Sequence, residues 1–219
     1  EALSSTRPVG HLIEGDIAIS AEQIRFFAEF ADKEGSDLVP TDDGNLGMIV
    51  TEPYGVVGAI TPWNFPISMA AWKLGPALAA GNAVVLKPSE MTPFSAIYLA
   101  ELAVRAGMPA GLINVVLGDG QVTGNAITGH PDIAKVSFTG STRAGSAIME
   151  NVARTGIKPM TLELGGKSPQ LVFADADLDK AAAAIATSII SNAGQACVAG
   201  SRLIVEESVA APLVDAIAT

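Results

Sequence analysis

The chain contains one cysteine, Cys197. It lies in Asn192-Ala-Gly-Gln-Ala-Cys-Val-Ala-Gly-Ser201, a run of small and polar residues. A lone cysteine is either an inert core residue or a nucleophile. Glycines on both sides favour the second, because they let backbone approach a ligand closely. Glu163, in Thr161-Leu-Glu-Leu-Gly-Gly-Lys167, ends an apolar run. It reads either as a general base held in a dry pocket or as the ion-pair partner of Lys167. Asn64, in Thr61-Pro-Trp-Asn-Phe-Pro66, follows an apolar strand. Its amide could donate to an oxyanion, or it could be a turn asparagine bonded to its own backbone.

Two glycine turns and one acid add binding chemistry. Phe138-Thr-Gly-Ser-Thr-Arg-Ala-Gly145 follows a strand and opens a helix, leaving free N–H groups and a positive dipole end for a diphosphate. Gly118, Gly120 and Gly124 form a second such turn without the Gly-x-Gly-x-x-Gly spacing. Glu90, in Lys87-Pro-Ser-Glu90, is placed either to accept from ribose hydroxyls or as an ordinary helix-start acid near Thr92.

These side chains need a scaffold, and composition limits its class. The chain has 219 residues, 49% of them hydrophobic and 16% charged, which excludes disorder and coiled coil. Its net charge of -10 gives no general attraction to nucleic acid phosphate or anionic lipid. One cysteine forms no intrachain disulfide. From Glu52 to Lys87 the only intervening charge is Lys73, yet Pro62, Pro66 and Pro76 with several glycines interrupt any spanning helix. Neither a nucleic acid nor a membrane partner is expected, and a cytoplasmic location is the working expectation.

Apolar runs and helical stretches alternate, which predicts a doubly wound α/β fold with a parallel, Rossmann-like sheet. Ser20 is expected to cap a helix to about Glu34, with Ile24, Phe27, Ala28 and Ala31 on one face and Gly35 as its stop. Residues 37–51 read as a turn-rich excursion able to pair with another subunit. Strands are predicted at 55–60, 83–86, 112–117, 134–138 and 161–164. Helices are predicted at 67–80, from Thr92-Pro93 to Gly107, and at 177–191, the last delivering the chain to Cys197.

Taken together, Trp63-Asn-Phe-Pro66, Lys87-Pro-Ser-Glu90, Phe138-Thr-Gly-Ser141, Glu163-Leu-Gly-Gly-Lys167 and Gly194-Gln-Ala-Cys197 resemble, in order and spacing, the signature blocks of the NAD(P)-dependent aldehyde dehydrogenases. The resemblance implies that Cys197 is the nucleophile, Glu163 the general base, and Asn64 an oxyanion donor together with the Cys197 backbone N–H. It implies that Lys87 and Glu90 meet the adenosine ribose, Trp63 lines the cofactor cleft, and Gly140 and Ser141 contact the diphosphate. Ile60, Thr61 and Pro62 would complete the cleft beside Trp63, with Ser89, Gly120 and Gly124. Phe138, Thr139, Leu164 and Gly165 finish the implied cofactor set.

The domains implied are a helical part of the cofactor domain at 1–34, an oligomerisation arm at 35–53, a dinucleotide-binding domain at 54–164, and the start of a second α/β catalytic domain at 165–219. The family's later blocks, including a Glu-x-Phe-Gly-Pro, do not occur here, so a fragment is expected. The expected partners are a small aldehyde and other copies of the chain, as a homodimer or homotetramer. Glu90 favours NAD, with NADP also admitted by Lys87, and no metal is expected. Family members that pass the acyl group to coenzyme A generally lack this Glu, so Glu163 points to a free acid product. Two rival classes stand beside this reading. One is a catalytically incomplete nucleotide-binding module of the same fold. The other is a cysteine hydrolase, for which only His11 and His130 are available.

Overall fold

A computed structural model describes residues 1–5 and 7–218. The chain divides into two units, Glu1–Glu163 and Leu164–Thr219. The first unit opens with helices α1 (Ala2–Ser5) and α2 (Val9–His11). A π-helical turn, Leu12–Ile17, then leads into α3 (Ala18–Ala28). Helical backbone thus begins well before Ser20, which is no N-cap. Ser20 is buried inside the helix, and its hydroxyl donates to the Asp16 carbonyl one turn earlier. The helix ends at Ala28, short of Glu34. On the expected apolar face Phe27 is half-buried against Gly75, while Ile24, Ala28 and Ala31 are exposed.

Strands β1 (Asp37–Val39) and β2 (Gly47–Ile49) form an antiparallel hairpin around Asp42-Asp43-Gly44-Asn45, with Gly44 at φ +88°. Leu38, Leu46, Met48 and Ile49 are exposed on it.

Alternation then becomes regular: β3 (Val56–Ile60), α4 (Pro66–Ala79), β4 (Ala83–Lys87), α5 (Phe94–Arg105) and β5 (Ile113–Val115). A π-helical turn (Gly120–Gly124), α6 (Asn125–Gly129), β6 (Lys135–Thr139), α7 (Thr142–Thr155) and β7 (Met160–Glu163) follow. The five strands are parallel, in the order β5-β4-β3-β6-β7. This is the doubly wound arrangement expected from the sequence. β5 is shorter than the apolar run 112–117 suggested. α5 is preceded by Pro93 with no side-chain cap, and the Thr92 hydroxyl is buried without a partner, so Thr92 does not cap that helix.

Side-chain alternation divides the sheet's two faces. Ala59, Val84 and Leu86 point to one side and pack on Ala70 and Leu74 of α4 and Ala96 of α5. Gly58 points to the other, where α6 lies alongside α7. A Cβ at Gly58 would come within 2.6 Å of the Ile127 side chain and 3.2 Å of Ile133.

In the second unit, β8 (Pro169–Val172) and β9 (Arg202–Val205) pair in parallel, joined through α8 (Leu178–Ile190) and a 3-10 turn (Ser191–Gly194). α9 (Glu207–Ala218) follows. Asp177 caps α8 by accepting from the Lys180 N–H at 3.2 Å. Val172, Ala182, Ile185 and Leu213 form this unit's core.

The close approach at Gly58 predicts that Gly58→Ala destabilises the first unit by ~1–3 kcal/mol through overpacking. Urea unfolding monitored by Trp63 and Trp72 fluorescence measures the change.

Candidate functional site

β3 and β6 are neighbours in space but not in sequence. The chain builds outward from β3 through β4 to β5, then returns to lay β6 on the other side of β3. At such a reversal the connections leave in opposite directions and open a crevice at the carboxyl ends of the strands. Ile60 and Phe138 are register partners at that edge. Thr61 extends the ladder one residue further, its N–H donating to the Lys87 carbonyl at 3.0 Å. On the other side the Gly140 N–H donates to the Glu163 carbonyl at 3.0 Å. Ile60, Thr61, Lys87, Phe138, Thr139, Gly140 and Glu163 are therefore brought to one edge of the sheet.

The turn after β3 carries Pro62, Trp63 and Asn64 into α4. Trp63 is half exposed, and Asn64 is half-buried with its main-chain oxygen accepting from Arg7 at 2.6 Å. Lys87 is 3% exposed, and its ammonium donates to the Pro88 carbonyl at 3.2 Å and to Glu90 at 3.4 Å. Ser89 accepts from the Met91 N–H. Glu90 is exposed. Ser141 caps α7, its hydroxyl accepting from the Ala144 N–H at 3.2 Å. A Cβ at Gly140 would come within 2.5 Å of the Phe138 ring. Gly120 and Gly124 bracket the π-helical turn into α6, where Asn151 of α7 donates to Asn125 and Thr128.

Several features of this edge fit a dinucleotide. The Thr61 side chain is 4% exposed, and its hydroxyl is buried without a hydrogen-bond partner. A helix N-terminus beside a glycine that leaves no room for a Cβ suits a phosphate. An ammonium paired with an acid at the next strand end suits a ribose.

Sequence reasoning noticed Lys73 only as a stray charge in an apolar stretch. The structure puts it on α4 at 8% exposure, donating to the Ser137 hydroxyl at 3.0 Å. Burial lowers its pKa to about 8, and the negative charge of Glu163 opposes that shift. The available signal was its position among Ala70, Ala71 and Leu74, an apolar helix face that normally excludes lysine. The Glu163 side chain itself is exposed. It is not held in the dry pocket that its apolar strand suggested, because along β7 Met160 and Leu162 take the half-buried face while Thr161 and Glu163 alternate onto the exposed one.

In the second unit Cys197 is exposed. Asn192, Ala193 and Gly194 carry φ of 50°, 55° and 73°, a left-handed turn that costs an alanine ~1–2 kcal/mol. Asn192 and Gln195 hold it by reciprocal side-chain bonds to each other's carbonyls at 3.2 Å. After the cysteine, Gly200 receives Gln170 on its carbonyl at 2.8 Å and donates its N–H to Ser188 at 3.2 Å. Gly166 approaches the Cys197 carbonyl so closely that a Cβ there would lie at 2.9 Å. Leu164 and Gly165 begin this unit, half-buried and exposed respectively. Lys167 donates to the Gly166 carbonyl at 3.1 Å. Among the described residues no group of three or more His, Cys, Asp or Glu could hold a metal, and no helix is long and apolar enough to cross a membrane.

The aldehyde dehydrogenase family model matches residues 3–219. The NADP/NAD-dependent aldehyde dehydrogenase PuuC of Escherichia coli K12 is 50% identical over 211 residues, covering 96% of this chain and 43% of that protein. Retinaldehyde dehydrogenase 3 of Mus musculus is 48% identical over 209 residues, covering 95% and 41%. Among solved structures, PnpE in complex with nicotinamide adenine dinucleotide superposes with a TM-score of 0.96 at 42% identity, covering 99% of this chain and 44% of that one. An indole-3-acetaldehyde dehydrogenase complexed with NAD+ gives 0.96 at 45% identity, covering 99% and 45%. The chain belongs to the aldehyde dehydrogenase family. It spans about two fifths of the length of the curated relatives it matches.

Lys73 has a folded pKa near 8 against 10.5 ordinarily, so between those values the unfolded chain binds the extra proton. Stability from this group therefore rises as pH climbs from about 8 to 10.5. Lys73→Met should be more stable than the parent at pH 7 and should lose that rise. Melting curves of both proteins across this range provide the check.

Proposed function

We propose that this chain carries the cofactor-binding part and the nucleophile of an enzyme that oxidises an aldehyde to its carboxylic acid with NAD, or with NADP. The observation that carries the reading is the reversal of strand order between β3 and β6, with an unpartnered buried Thr61 hydroxyl and the capped start of α7 at the carboxyl ends of those strands. Relatives bearing the same blocks are aldehyde dehydrogenases. Residues 1–34 and 54–164 serve as the cofactor domain, 35–53 as an arm between subunits of a homodimer or homotetramer, and 165–219 as the start of the catalytic domain. A single reduced thiol suits the cytoplasm.

Ile60, Thr61, Pro62 and Trp63 form one wall for the cofactor. Lys87, Ser89 and Glu90 receive the adenosine ribose, and Glu90 favours a free hydroxyl over a phosphate there. Phe138, Thr139, Gly140 and Ser141 receive the diphosphate, with Gly120, Gly124, Leu164 and Gly165 completing the set. When bound, the nicotinamide supplies a hydride acceptor.

The thiolate of Cys197 attacks the aldehyde carbon, forming a C–S bond and an oxyanion. The Asn64 amide and the Cys197 N–H donate to that oxyanion and stabilise it as charge develops. Loss of hydride leaves a thioester on Cys197. Glu163 takes a proton from water, the resulting hydroxide attacks the thioester carbon, and the C–S bond breaks to release the acid and return the thiolate.

Cys197→Ser should abolish reduction of NAD while leaving NAD affinity nearly unchanged, as read by absorbance and calorimetry. Glu163→Gln should give one burst of reduced cofactor and then turn over about 100-fold or more slowly, the range of a lost general base. Unchanged turnover would remove Glu163 from the mechanism. NAD that binds without ever being reduced in the parent protein would instead favour the incomplete nucleotide-binding module.

A further inference from the structure

The turn bearing Asn64 is not held by its own residues alone. Phe65 occupies the N-cap position of α4 with φ -139° and ψ 67°, and it has no side chain able to cap a helix. Pro66 follows without an N–H. The first free donor, the Ile67 N–H, is satisfied by the Glu1 carboxylate at 3.2 Å, from a residue 66 positions earlier. The same carboxylate accepts from the Ser95 hydroxyl at the start of α5. Glu1 thus places one negative charge where two helix N-termini meet, which their dipoles favour.

Arg7 closes the other side. Its guanidinium donates to the Asn64 carbonyl at 2.6 Å, lies over the Phe65 ring at 4.3 Å and pairs with Asp16 of the π-helical turn. The Arg7 and Asp16 side chains of this ion pair are only 13% and 11% exposed. A planar guanidinium can stack and bond in two directions at once, which an ammonium does not reproduce. Residues 64 and 65 are therefore gripped through main chain and ring together, which fixes the backbone from which the Asn64 side chain departs.

We propose that Arg7, braced by Asp16, is a positioning residue that aims the Asn64 amide at the oxyanion, with Glu1 fixing the helix start behind it. This rests on the reading of Asn64 as an oxyanion donor. An oxyanion donor acts only within a narrow range of distance, so freedom in the turn lowers the rate of the chemical step without weakening cofactor binding.

The test is a double-mutant cycle in the polypeptide as the gene encodes it, following single-turnover reduction of NAD with a saturating aldehyde. Asn64→Ala should slow the step about 100-fold. Arg7→Met should slow it about 10-fold, with the KM for NAD within about 2-fold of the parent, and should slow Asn64→Ala less than about 2-fold further. Arg7→Lys, which keeps a donor for the carbonyl but loses the stacking, should recover only part of the loss. An equal loss from Arg7→Met in both backgrounds would overturn the positioning role while leaving Asn64 in place. An unaltered rate in Asn64→Ala would overturn the reading of Asn64 itself. If Arg7→Met does not fold, Asp16→Asn takes its place in the same cycle, with a smaller loss that must again vanish beside Asn64→Ala.

Discussion

The reversal of strand order between β3 and β6 is the constraint on which the rest of the first unit depends. Because α4 leaves β3 on one face and α7 leaves β6 toward the other, two turns diverge at one edge of the sheet. Main-chain bonds from Thr61 to Lys87 and from Gly140 to Glu163 carry the ladder to that edge and fix where each turn begins. Everything assigned to cofactor contact in this unit except the Gly120–Gly124 turn sits within a few residues of those two bonds.

Glycine and charge perform complementary tasks around this frame. Gly58 and Gly140 keep helix and ring close to the strands where a Cβ would collide. Glu1 and Arg7 hold the Asn64 turn through charged bonds to backbone that the turn cannot satisfy for itself, and Asp16 pairs with Arg7. The second unit combines glycine with neutral polar side chains near Cys197. Gly166 and Gly200 admit close backbone and side-chain contacts, while Gln170 and Ser188 bind the Gly200 main chain, leaving the thiol exposed.

Much of this was legible in the sequence because its signals are local. Apolar runs bounded by glycine marked β3, β4 and β6, and Gly81 and Gly107, both at positive φ, stand just past α4 and α5 as their composition suggested. The errors arose where distant partners decide. Ser20 has the right chemistry for a cap, but helix continues through Leu12–Ile17, and its hydroxyl bonds inside that helix instead. Glu163 looked buried from its neighbours Leu162 and Leu164, yet it alternates onto the exposed face of β7. Lys73, Glu1 and Arg7 gave no motif at all, since their partners Ser137, Ile67 and Asn64 are between 57 and 66 residues away.

Hydrogen exchange with and without saturating NAD reports whether the carboxyl edge of the sheet between β3 and β6 receives the dinucleotide. Slower exchange is expected in residues 61–69, 87–92 and 139–145. No change is expected at the opposite edge, where Pro131, Ile133, Gly156 and Lys158 line a separate cavity of about 300 Å³. Protection at that far edge, or none at the near one, would show that the dinucleotide does not bind between β3 and β6.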